Sequence, residues 1–496
     1  MRHLAQSMSR PRPAHTAAAP LLSNGNPRGR RGFLKTGAAT AAGLMIGCDR
    51  KSSPSPPVVV SPALPAVPAD PVPPPLPPPD APPPPVKLWN LSELAPPPDW
   101  SRLDAWQETI TAADFRHLLE NVLTDGNAHW STVEQREDRA IIRRSTAREG
   151  AERFELRFAG KPASAVLALP PAAPSPAFPP PAARYWRKAS EMGPVTSQDR
   201  PLEGVRIALD AGHIGGQWAK MEGRWYQIGE SLPVMEGEMT LRTARLLRPL
   251  LEALGAEVSM VRYTTAPLTT QQPDTLHAEA LKSLTAAKGA GNAFTDIQIR
   301  REAERLFYRT SEIRARGQRV NEVLRPDLLV CLHFNAESWG SDDGKPVFSK
   351  ANHLHVLAHG CLSAAEFSLD DQRLDGLLRI VQGIPHEEIR LCDAVARHLA
   401  TATGLRPFTY SGKSACRVNN NPYLWARNLL ANRVYHCPVV FTEPYVMNHQ
   451  EVFDRIQCGD YDGEKVVAGK LRRSIYREYA QAVADGLAEA VAAGRG

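Results

Sequence analysis

From about residue 201 the chain alternates short apolar runs with amphipathic stretches, the pattern of strands feeding helices. Residues 205–209 read as a buried strand. After them Leu241, Ala244, Leu247, Leu251 and Leu254 recur at three- and four-residue spacing, one stripe of a helix that Gly255 closes and Pro249 is expected to kink. A strand over 257–262 follows, then a polar and helical insertion at 264–310, a helix over 312–324, and strands at 327–332 and 438–442. This order predicts an α/β fold, an open and mostly parallel sheet with helices on both faces.

Upstream the pattern changes. Residues 100–200 read as a small accessory module of unassigned chemistry, with a helix over 111–122 that Thr111 caps and strands at 140–144 and 154–158. Trp106, Trp130 and Trp186 are expected to pack in cores before they contact sugar. A proline cluster at 170–181 separates this module from the α/β portion at 201–496. Between 54 and 85, inside a linker at 48–99, roughly every second residue is proline, which favours polyproline II. At about 3.1 Å per residue such a stretch reaches roughly 100 Å, enough to hold a domain away from a membrane.

The formal charge of +6 is misleading about partners, because residues 1–47 hold seven cations and no acid, and without them the charge is −1. No electrostatic case for nucleic acid remains. The cations instead belong to an export signal. Arg30, Arg31, Gly32, Phe33, Leu34 and Lys35 precede a small apolar run and resemble a twin-arginine signal. Met45, Ile46, Gly47 and Cys48 resemble a lipoprotein box, with Cys48 as lipid anchor. A dozen apolar residues span about 18 Å of helix, too little for a hydrocarbon core of roughly 30 Å. The expected location is the periplasm or cell envelope. There Cys331, Cys361, Cys392, Cys416, Cys437 and Cys458 are free to form disulfides of unassigned connectivity, and most are expected in cores.

Candidate chemistry gathers at strand ends. The strand at 205–209 runs into Asp210, Ala211, Gly212 and His213, where Asp210 is positioned to orient the second ring nitrogen of His213. Glu236 and Glu238 stand at the start of the Leu241 helix, where either is expected as a cap or dipole partner before anything else. His333 follows the strand at 327–332, and Glu443 ends the strand at 438–442. If these strands are parallel neighbours, His213, Glu236, His333 and Glu443 meet on one sheet edge. Two imidazoles and a carboxylate suit a catalytic zinc, with a further glutamate to move a proton.

Four segments, 209–216, 236–241, 328–336 and 439–448, agree in order with the zinc-dependent N-acetylmuramoyl-L-alanine amidases called amidase family 3, and the chain resembles them over 203 to about 485. The resemblance implies a phosphorylase/hydrolase-like fold, Zn²⁺ held by His213, Glu236 and His333, and Glu443 as catalytic acid/base. It selects Glu236 over Glu238, since the family's ligand lies five residues before the first helical leucine, here Leu241. The implied substrate is peptidoglycan, cut between N-acetylmuramic acid and L-alanine, and an activator protein is a candidate partner. A zinc peptidase acting on wall peptides and a non-catalytic wall-binding lipoprotein are the alternatives.

The chain departs from the family at Ile214, where glycine is common, in the insertion at 264–310, and at 337–385 with its His353, His355 and His359. An acid of the first insertion, Glu302 or Glu304, is expected to reach the metal's open position. His353 and His355, on one strand face, are expected to pack before they bind metal.

Overall fold

The computed structural model describes residues 88–148, 150–160, 184–289, 291–338 and 347–495. The expected export signal, Cys48, the proline run at 54–85 and the proline cluster at 170–181 lie outside the described residues.

After a 3-10 turn at Trp100–Trp106, the first α-helix is α1 (Ala112–Leu118), whose N-cap Thr111 accepts a hydrogen bond from the Asp114 N–H as its sequence position predicts. It packs on an antiparallel sheet of β1 (Val133–Gln135), β2 (Arg139–Arg143) and β3 (Arg153–Arg157). Phe115, Ile142 and Leu156 form a core there that continues into Leu362, Leu374 and Leu377 of the α/β portion. Trp106 and Trp186 are buried, whereas Trp130 is 68% exposed.

The α/β portion opens with β4 (Arg206–Ala211), a hairpin of β5 (Trp225–Tyr226) and β6 (Val234–Met235), α2 (Glu236–Ala253) and β7 (Glu257–Met260). The insertion contributes α3 (His277–Lys288) and α4 (Asp296–Leu306), and α4 runs on through a wide turn into α5 (Glu312–Gln318). Then follow β8 (Leu328–Leu332), β9 (His353–Ala358), α6 (Ala364–Phe367), α7 (Asp370–Gln382) and α8 (Ile384–Thr403). Short strands β10 (Arg406–Pro407), β11 (Cys416–Arg417) and β12 (Leu424–Ala426) precede α9 (Leu430–Arg433), β13 (Val439–Pro444), α10 (Gln450–Gln457) and the closing helix α11 (Ile475–Arg495). The expected kink at Pro249 does not end its helix, since α2 is assigned as one helix across it.

One sheet organises these elements in the order β11-β12-β9-β13-β8-β4-β7, with β10 beside β9. Strands β7, β4, β8 and β13 are parallel, so their carboxyl ends share an edge. Strand β9 runs antiparallel to β13, which brings the start of β9 to that same edge. The segment at 337–385 thus supplies a central strand of the sheet. Alternate residues face opposite layers: Ile207, Leu209, Val330 and Val440 pack toward α2, α8 and α11, and Ala208, Leu329, Cys331 and Phe441 face the layer of Val320 and Tyr435. A disulfide joins Cys361, just past β9, to Cys416 on the edge strand, while Cys331, Cys392 and Cys437 are buried thiols and Cys458 is exposed.

Candidate metal centre

His213 lies two residues beyond β4, His333 directly follows β8, and Glu236 opens α2. Their ligand atoms fall within 4.8 Å of one another, the one such group of three among the described residues. His213 Nε2 is 3.3 Å from Glu236 Oε2, and His333 Nδ1 is 3.4 Å from Glu236 Oε1. The two rings meet edge to face at 4.9 Å, and His333 stacks on Phe441 at 4.4 Å.

Close backbone approach makes this cluster. A Cβ at Gly212 would collide with the His333 ring, and one at Gly237 with the Ile214 carbonyl, so neither position accepts a side chain without displacing the site. His213 itself has φ +60°, a left-handed conformation that histidine adopts more readily than most residues. Two buried arginines fasten the loop from beneath. Arg316 donates to the Asp210 carboxylate (3.0 Å) and to the carbonyls of Ala211 and His213 (2.9 and 2.8 Å). Arg262 donates to the carbonyls of Ala211, Gly212 and Gly237. Burial, with the Arg316 cation nearby, pushes Arg262 down to about 9.

The oxygens of Glu236 are unequally served. Oε1 accepts the Phe334 N–H at 3.1 Å, whereas Oε2 is buried without a hydrogen-bond partner, its nearest cations being His213 and the Arg224 Nε at 3.5 Å. Burial works against the charge on Glu236, but His213 and Arg224 outweigh it and hold the carboxyl well below its ordinary range. For His213, burial favours the neutral ring, yet Glu236 and then Glu222 raise it to about 9. A buried carboxylate with one imidazole nitrogen close to each of its oxygens, and with one of those oxygens lacking a hydrogen-bond donor, is a donor set that fits a divalent cation of zinc's preferences.

Glu443 occupies the same edge on β13. Burial would raise its pKa, but the adjacent His355, whose Nε2 is 2.7 Å from Glu443 Oε2, holds it down to about 2, helped by His333 and Arg427. Tyr410 touches the same His355 nitrogen at 3.2 Å.

Several expectations are corrected. Asp210 does not orient His213: it shares the sheet face of Ala208 and pairs with Arg316 and the Tyr435 hydroxyl, while the imidazole lies beyond the strand end and contacts Glu222 instead. Glu238, as expected of a first-turn acid, serves the backbone and not the cluster: it accepts the Gly216 N–H at 3.3 Å. Glu302 pairs with Arg305 and Ser283, and Glu304 lies 3.5 Å from Arg300, so neither acid reaches the cluster. The insertion instead buries Ile214 among Leu276, Ile299, Leu306 and Phe307, which accounts for a large side chain where glycine was expected. His353 pairs with Glu337, and His359 contacts Asn432. Sequence reasoning missed Glu222 and Arg224, which lie in a loop without periodicity, and gave His355 no catalytic neighbour although its alternation with His353 was visible.

No family model and no curated protein matches the chain. Solved structures that it resembles include the N-acetylmuramyl-L-alanine amidase Ami1 from Mycobacterium smegmatis, 18% identical with TM-score 0.32 over 59% of this chain and 99% of that one. CwlD amidase from Clostridioides difficile, in complex with the GerS lipoprotein, is 13% identical with TM-score 0.33 over 58% of this chain and 100% of that one. The catalytic domain of CwlV from Bacillus (Paenibacillus) polymyxa var. colistinus is 16% identical with TM-score 0.29 over 57% and 96%.

Proposed function

We propose that the chain is a zinc-dependent N-acetylmuramoyl-L-alanine amidase of the cell envelope, with His213, Glu236 and His333 as metal ligands and Glu443 as catalytic acid/base. The observation that supports this best is the convergence of the three ligand atoms within 4.8 Å around the unpartnered Glu236 Oε2. The resemblance of four ordered segments to amidase family 3 supports the choice of bond. On this reading 201–496 is the catalytic domain, 100–200 an accessory module, 48–99 a linker and 1–47 an export signal ending at a lipid anchor on Cys48. Among the described residues no helix is long and apolar enough to cross a membrane.

Zinc bound there supplies Lewis-acid chemistry toward the scissile carbonyl and lowers the pKa of water. The protein does the rest. Glu443, kept ionised by His355, is ready to take a proton from the attacking water and return it to the departing amine of L-alanine. One of its oxygens is occupied by His355, which leaves the other for that exchange. Arg224, near both Glu236 and Glu443, adds positive charge where the carbonyl oxygen becomes negative.

Digestion of purified peptidoglycan, with the new termini identified by mass spectrometry, tests the reading. A free L-alanine amine paired with a lactyl carboxylate is the expected outcome. Termini inside the stem peptide would identify a peptidase, and binding without new termini a wall-binding protein.

A further inference from the structure

The His213 ring has two nitrogens, and only one faces the cluster. The other, Nδ1, lies 2.5 Å from Glu222 Oε1, and the second oxygen of the same carboxylate accepts the Ile214 N–H at 2.9 Å. Glu222 is 7% exposed in its side chain, so little water competes for either bond. One carboxylate thus grips both the imidazole and the backbone after it, across the residue with φ +60°.

The loop that delivers Glu222 is itself held. Trp218 packs against Phe307 with ring centroids 5.3 Å apart, and Trp218 and Met221 lie on the cluster in which α3 and α4 bury Ile214. The insertion therefore braces both ends of the stretch 214–222.

We propose that Glu222 is the positioning residue for His213, fixing the ring with its proton on Nδ1 and a bare Nε2 toward the cluster, and that the insertion at 264–310 is the brace for this arrangement. The inference rests on the metal reading above. Its chemistry is a count of donors. A neutral imidazole that ligates through Nε2 carries its proton on Nδ1, so Nδ1–H and the Ile214 N–H both require acceptors, and a carboxylate serves them with two separate acceptor oxygens, as Glu222 does. Glutamine at 222 has one oxygen and one NH2 group. If its oxygen keeps the Ile214 N–H, its NH2 faces Nδ1, which drives the ring proton to Nε2 and closes the ligating nitrogen.

The test compares zinc affinity, by competition with a chromophoric chelator, for the full chain and for E222Q, E222D and the exposed charge control E230Q. E222Q is expected to bind zinc about 10- to 100-fold more weakly. E222D, which keeps two acceptor oxygens, should recover part of that loss, and E230Q should match the unsubstituted protein. In parallel, nitrogen–proton NMR of the metal-free protein, followed upward in pH until the His213 ring has lost its second proton, should show the remaining proton on Nδ1. A ring proton on Nε2 in the unsubstituted protein, or unchanged zinc affinity in folded E222Q, overturns the proposal. If E222Q does not fold, the NMR result decides alone. Failure of the unsubstituted protein to bind zinc would sink the metal reading instead, and the NMR result would still decide the role of Glu222.

Discussion

Glu443 and His355 stand directly opposite each other on antiparallel strands β13 and β9, joined by a 2.7 Å contact between Oε2 and Nε2. Because β9 is reversed relative to the parallel strands, its second to third residues reach the edge where β13 ends. The pairing places an imidazole against one oxygen of the carboxylate proposed for proton transfer.

Replacing Glu443 by glutamine keeps shape and packing but removes the group proposed to exchange a proton. Turnover should fall by about 10² to 10⁴, the usual contribution of a general acid/base. Metal analysis should show zinc retained. Zinc lost in step with activity would make Glu443 a ligand.

The same pair predicts an acid limb of stability. With its folded pKa held near 2 against an ordinary 4.5, Glu443 contributes stability that is fully present above about pH 4.5 and is lost as pH falls toward 2. In H355F the main opposing charge is gone and burial raises the Glu443 pKa, so its contribution in that window should shrink. Thermal melts of the two metal-free proteins from pH 2 to 7 measure this. Identical pH dependence would show that His355 does not hold the carboxylate.

Arg316 should matter to stability more than any exposed ion pair. It is buried between Asp210 and Glu312 and also carries the carbonyls of Ala211 and His213. R316M strands two buried carboxylates, which costs about 3 to 5 kcal/mol, whereas breaking the exposed Arg136–Glu134 pair should cost under about 1 kcal/mol. Chemical denaturation of R316M and R136M compares them, and equal losses would refute the ranking.

Strand ends were the legible part of this site, because a short apolar run followed by a histidine or glutamate marks both the strand and its functional edge. His213, Glu236, His333 and Glu443 meet there because β4, β8 and β13 are parallel, as the strand–helix alternation predicts. What the pattern could not show was the direction of β9, since an apolar strand reads the same in either sense, and so His355 was seen without its partner. Glu222 was hidden for a different reason. It sits in an aperiodic loop nine residues after His213, and tertiary packing of Trp218 and Met221 on the insertion, invisible to periodicity, folds that loop back to the ring. Asp210 shows the converse error: adjacency in sequence suggested a contact that strand alternation forbids.

Glu236 and Glu238 provide the sharpest comparison, because both are first-turn acids of α2 and differ only in which way the helix turns them. Glu236 faces His213 and His333, while Glu238 reaches back to the Gly216 N–H. Replacing Glu236 by alanine removes one of three proposed protein ligands, so a mild chelator should strip zinc that the unsubstituted protein keeps. Replacing Glu238 by alanine removes a backbone acceptor and a favourable helix-dipole charge, worth together about 1 kcal/mol, and should leave zinc in place. Zinc content after dialysis against the chelator, measured beside a thermal melt, separates the two roles. Zinc retained in E236A and lost from E238A would reverse the assignment that the geometry of the cluster supports.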